Sequence, residues 1–158
     1  MKYFKIVILV SSLLITSFTS LSQNKLKTGF YYLAEKENGA ELIKDIDSEE
    51  KFAVDKNEIL TVEDFSSLKL LIRNFEPNPL KVIELKLTKN GRKKWIEIKN
   101  RISKTGESIL FICNDNVYLE KTIIGKSNLK DSTIDLFIES KYQEAIMEII
   151  KSEISNSR

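Results

Sequence analysis

Read along the chain, apolar positions change their spacing several times, and each spacing predicts an element. Gly29 to Ala34 is an apolar run and predicts a strand. Residues 38–64 are polar and acidic and predict mostly loops, with a short strand near Phe52-Ala53-Val54. Thr61-Val62-Glu63-Asp64 has the spacing of a capping box, where a hydroxyl and an acid three residues on satisfy each other's backbone amides. It predicts at most a turn or two of helix. Leu68, Leu70 and Ile72 then alternate with Lys69 and Arg73, the pattern of a half-exposed strand. Glu76-Pro77-Asn78-Pro79 predicts a stiff turn into a second strand, Val82 to Thr88, whose Ile83, Leu85 and Leu87 face one side.

The period then becomes helical. Gly91, Trp95, Ile98 and Ile102 fall four, three and four residues apart, one stripe of an amphipathic helix, and Gly106 follows as a stop. Ile109 to Cys113 is apolar at every position, which predicts a central strand covered on both faces. Asn114-Asp115-Asn116 tolerates left-handed backbone and predicts a tight hairpin into a strand over 117–124. Thr133, Ile134, Leu136 and Ile138 predict another strand. Ser140 and Gln143 have capping-box spacing, ahead of a helix with Tyr142, Ala145, Ile146, Ile149, Ile150 and Ile154 on one face. The expected fold class is α+β, a mostly antiparallel sheet with two amphipathic helices on one face.

The first residues carry a different pattern. Lys2 and Lys5 precede the apolar run from Ile6 to Val10 and the residues Leu13-Leu14-Ile15, and a small-residue polar stretch ends at Ser22. That order is a secretory signal, with Ser20 and Ser22 as the small residues before cleavage at Gln23. Ser11, Ser12, Thr16 and Ser17 interrupt the run too often for a spanning helix, which needs about 20 apolar residues. The expected organisation is a signal peptide over 1–22 and one domain over 23–158. The product is expected in the periplasm or outside the cell, with no transmembrane segment in the mature chain. Cys113 is the sole cysteine, so neither an intramolecular disulfide nor a lipidated cleavage site is available.

The formal charge of the whole chain is +2, and loss of the two leader lysines brings it to zero. The neutral total hides an asymmetry. Residues 35–64 hold eleven Asp and Glu against four Lys, while residues 86–104 hold eight Lys and Arg against Glu97 alone. One reading is two solvated faces. The other is a basic surface for an anionic partner, built from Arg92, Lys93, Lys99 and Arg101 on the first helix. No exposed aromatic residues interleave with these cations to stack bases, so nucleic acid is not the expected partner.

Histidine is absent altogether. That removes the commonest general base, the usual Ser and Cys triads and the usual catalytic zinc sets. Cys113, at the end of an apolar strand, reads as a buried hydrophobe rather than a nucleophile. The S-x-x-K matches at Ser48, Ser66 and Ser127, and Lys104-Thr105-Gly106, are chance products of a Ser- and Lys-rich chain too short for penicillin-recognising enzymes. Asp45, Asp47, Glu49 and Glu50 cluster oxygen ligands but lack the glycine and distal glutamate of a calcium loop. No catalytic residue, cofactor or metal ligand is assigned, and the chain is not expected to be an enzyme.

The segment from Val82 to Trp95, with Gly106 to Ile112, Asp115 to Val117, Ile123 and Ile134, resembles the head subdomain of the first periplasmic domain of the SecD family. Leu85, Leu87, Thr88, Gly91, Trp95, Gly106 and Asp115 occupy its pattern: a strand ending Leu-x-Leu-Thr, a helix-opening Gly, an aromatic one turn on, a second Gly and a hairpin Asp. The likeness covers roughly 80–154 and departs from the pattern at Lys99, Lys121, Asp131 and Phe137. It implies a fold and a role in handling polypeptide, without the membrane-spanning part that lets SecD use a proton gradient. The expectation is an exported, non-enzymatic binding or accessory module whose partner is an envelope protein or polypeptide segment. The alternatives are a small carboxylate- or metal-dependent hydrolase of envelope polymers, or a structural envelope component.

Overall fold

The computed structural model describes residues 26–34, 41–48, 50–74, 77–119 and 132–157. The leader over 1–22, the end of the strand expected over 117–124 and the departures at Lys121 and Asp131 lie outside the described residues. Nine strands and two α-helices are present among those described, a mixed α+β fold with mostly antiparallel pairing. The strands are β1 (Gly29–Tyr32), β2 (Glu41–Asp45), β3 (Lys51–Val54), β4 (Leu60–Thr61), β5 (Phe65–Asn74), β6 (Pro79–Leu87), β7 (Ile109–Cys113), β8 (Asn116–Leu119) and β9 (Thr133–Leu136). The helices are α1 (Lys89–Thr105) and α2 (Ser140–Asn156).

The strands form two sheets rather than the one expected. Six lie in the order β3-β2-β8-β7-β1-β4 and three in the order β5-β6-β9. Every described pairing is antiparallel except β2 with β8. Alternation along β1 and β7 explains why the interior has two parts. Phe30, Tyr32, Ile109, Phe111 and Cys113 point into a large core shared with the three-stranded sheet and both helices. Tyr31, Leu110 and Ile112 point to the other side, where they join Ile43, Val54 and Val117. Both faces of β7 are therefore buried, as its unbroken apolar run predicts.

Phe30 is the hub of the main core. Its ring lies 5.2 Å from Phe111 across the strand pair, 6.0 Å from Trp95 on α1 and 6.5 Å from Phe65 at the start of β5. Tilted and edge-on aromatic pairs of this kind add about 0.5–1.5 kcal/mol each beyond area burial. They tie the two sheets and α1 into one body.

Local signals hold where the expected residues meet their partners. The Thr88 hydroxyl caps α1 by accepting from the Gly91 amide at 3.0 Å, and Gly106 ends the helix at φ 72°, a conformation that costs glycine little. Asn114 and Asp115 both have positive φ, which gives the β7–β8 hairpin its two-residue turn. Thr61 opens one 3-10 turn, Val62–Asp64, with its own amide donating to the Asp64 carboxylate at 3.2 Å.

Three expectations need correction. The acidic stretch contains β2, which pairs with β3 and β8, because strand partners contribute what its charged composition does not. α2 is capped at Glu139, not Ser140, and no side-chain cap bond forms there. Gln143 is instead buried, and its amide donates to the carbonyls of Ile138 and Lys81, pinning the helix to β6. Gln143 thus joins Ile146, Ile150 and Ile154 on the inward face, while Ala145 is exposed.

Candidate interaction site

The four cations expected to form one basic patch do not share one side of α1. Arg92 and Lys93 are exposed in its first turn, and Lys99 is half-buried. At 3.6 residues per turn, Arg92 and Lys99 fall on one side of the helix and Arg101 on the opposite side. Arg101 is also committed. Its guanidinium donates to both oxygens of Glu107 and lies 4.1 Å from the centre of the Tyr32 ring. The Glu107 hydrogen bonds hold Arg101 more basic than usual and Glu107 below the ordinary carboxylate range.

Lys94 is likewise structural. Its ammonium pairs at 2.7 Å with Asp64, a buried carboxylate that also accepts from the Asn90 amide at 3.4 Å. With Glu97, Ile98, Arg101, Tyr32 and Ile59, Lys94 lines a shallow cleft of about 240 Å³. Both cations of this cleft already hold carboxylates, so the cleft offers no unneutralised charge to an anion.

Carboxylates also come together away from this cleft. On the outer face of the three-stranded sheet, Glu84 and Asp135 are cross-strand partners, and Arg73 bridges them, with 2.8 and 2.9 Å bonds to Asp135. Lys69 adds a 3.2 Å pair to Glu84. Burial pushes Glu84 up, but the hydrogen bonds from Arg73 and Lys69 outweigh it and hold the carboxyl below its ordinary range. A general acid needs the opposite shift. The acidic turn after β2 is also internally engaged. Asp45 accepts the Asp47 amide, and Asp47 accepts from the Lys141 ammonium at 2.7 Å and the Tyr142 hydroxyl at 2.6 Å. That contact clips the turn to the start of α2. Among the described residues, no group of three or more Cys, Asp or Glu side chains could hold a metal ion. No described helix is long and apolar enough to cross a membrane.

The surface that stands out is the β5 edge. β5 is ten residues long and lies at one end of its sheet, paired over nearly its whole length with β6. Among the described residues, the backbone groups of 67–74 that point away from β6 have no hydrogen-bond partner. Leu68 packs against the main core, whereas Leu70 is 39% and Ile72 64% exposed on the same face. The apolar alternation therefore runs past the point where the core ends. Leu80, opposite Arg73 at the hairpin tip, is 47% exposed on the other face. The alternation was visible in the sequence, but the exposed end was not, because only the tertiary structure shows where cover stops.

No protein-family model, curated protein or solved structure matches this chain.

Proposed function

We propose that this chain is an exported, non-enzymatic binding module of the cell envelope that takes an extended polypeptide segment by strand addition along β5. The observation that carries the reading is the long edge whose core-side residues, Leu70 and Ile72, are exposed. Natural sheets blunt such edges with charge, proline or bulges, because unpaired amides and carbonyls template further pairing. The charges on β5, Lys69 and Arg73, are neutralised by Glu84 and Asp135 from the same sheet, which weakens that protection. Main-chain hydrogen bonds would supply affinity, and Leu70 and Ile72 would select alternating apolar side chains.

The leader sequence supports export, and the likeness to the SecD head supports a polypeptide partner. Arg92 and Lys93 are exposed on α1.

The test is hydrogen exchange of the purified protein with and without a chemically unfolded, labelled polypeptide. Binding should slow exchange of the amides within 67–74, and Ile72→Lys should weaken binding at least tenfold, about 1.4 kcal/mol. Binding that leaves those amides unprotected would reject strand addition.

A further inference from the structure

We infer that the strand taken by β5 is the β5 of a second copy of this chain, added antiparallel about a two-fold axis at Leu70. The inference rests on the strand-addition reading and specifies its occupant. Closed two-fold pairing is the commonest route to a homo-oligomer, and it brings one surface against itself.

Geometry restricts the register. In an antiparallel pair, opposite residues both point their amides inward or both point them outward. When a strand pairs with its own copy, opposite residues therefore differ by an even number, and the axis passes through a residue. Five residues in the middle of β5 could hold it, and their side chains discriminate.

An axis at Lys69 sets Lys69 against its own copy. One at Leu71 sets Lys69 against Arg73 twice. Like charges directly opposite each other destabilise a sheet. An axis at Leu68 carries Ile72 past the end of the partner strand, opposite the buried Asp64 of the 3-10 turn. An axis at Ile72 leaves Leu70 facing Asn74, which breaks the apolar row. The axis at Leu70 avoids all four faults. It sets Leu70 on Leu70 and Leu68 on Ile72 twice, an unbroken apolar row across the seam. On the other face it leaves Lys69 opposite Leu71, and Arg73 opposite Ser67.

The row covers the two exposed side chains of that face, Leu70 and Ile72. It joins the two three-stranded sheets into one of six, in the order β9-β6-β5-β5-β6-β9. Arg73 and Lys69 keep their carboxylate partners on the same sheet, so closing the seam strands no charge.

Sedimentation equilibrium of the purified protein over a concentration series tests the inference. A reversible dimer is expected, with Ile72→Lys raising the dissociation constant at least tenfold while the circular dichroism stays unchanged. Register is read by oxidation of Leu70→Cys, which should cross-link two copies, whereas Ile72→Cys should not; Cys113 is buried and does not compete. A monomer at every concentration, or cross-linking through Ile72→Cys in place of Leu70→Cys, overturns the inference. If that monomer still protects its β5 amides on binding an unfolded polypeptide, strand addition survives and only self-pairing falls. A monomer that binds no polypeptide sinks both.

Discussion

Gly91 sits directly against the backbone of Asp64. A Cβ placed on Gly91 would overlap the Asp64 carbonyl oxygen and come within 3.0 Å of the Asp64 Cβ. The same carbonyl accepts the Thr88 amide at 2.8 Å, so the 3-10 turn and the start of α1 are locked at a fixed separation. This contact gives the helix-opening glycine a packing reason rather than a conformational one.

Gly91→Ala should therefore cost about 2 kcal/mol by overpacking, a fall in Tm of roughly 5–8 °C for a chain of this size. Gly106→Ala is the contrasting case. Its surroundings are open, and only its positive φ opposes a side chain, so about 1 kcal/mol is expected. Thermal unfolding of the two variants side by side checks the ranking; an equal or smaller loss at Gly91 would contradict the close-packing account.

Asp64 and Lys94 should show energetic coupling. Removing the carboxylate by Asp64→Ala leaves the Thr61 amide and the Asn90 side chain without their acceptor, at a cost of about 2–3 kcal/mol. Lys94 is 42% exposed, so solvent screens the ion pair, and its coupling to Asp64 should be only about 1 kcal/mol. Urea unfolding of Asp64→Ala, Lys94→Met and the double variant measures this, and strictly additive effects would contradict a direct pair.

The elements legible in the sequence are those whose partners lie nearby or whose both faces are covered. Ile109 to Cys113 announces a central strand because each side of it meets a core. Thr88 and Gly106 mark the ends of α1 because caps are local. β2 was hidden because its sequence is mostly charged, and its parallel partner β8 comes some seventy residues later. Asp64 was visible as part of a capping box but not as a buried anion, since Lys94 and Asn90 reach it from a helix built thirty residues on. The basic patch failed for a related reason. Counting cations in a segment ignores the helical phase that sends Arg101 to Tyr32 and Glu107.

Acid should weaken the fold through Glu84. Its folded carboxyl lies below the ordinary value of 4.5, so the unfolded chain binds the proton first as pH falls. The stabilisation is complete above about 4.5 and disappears as pH drops through the lower, folded value. Arg73→Met removes the main donor and should flatten this acid dependence while lowering stability at neutral pH. Urea midpoints between neutral pH and about pH 3 test it; an acid arm of unchanged steepness in Arg73→Met would place the proton-linked group elsewhere.

Alkali should act through tyrosine, and the sign is reversed. Burial, aided by the Glu58 charge, pushes Tyr31 up to about 12, and its hydroxyl donates to the Lys27 carbonyl. Tyr32 and Tyr118 are raised by burial, and Tyr142 by its hydrogen bond to Asp47. Each phenol therefore ionises more readily in the unfolded chain than in the folded one. The contribution of Tyr31 is intact below its ordinary value of 10 and drains away as pH rises from there towards 12. The folded protein should show little phenolate absorbance at a pH where free tyrosine is half ionised, and the absorbance should appear together with loss of far-ultraviolet circular dichroism. Tyr31→Phe loses the bond to Lys27 but also the ionisable group, so it should be less stable at neutral pH and less sensitive to alkali. Phenolate appearing gradually, well before the circular dichroism changes, would show that these side chains titrate freely in the native state.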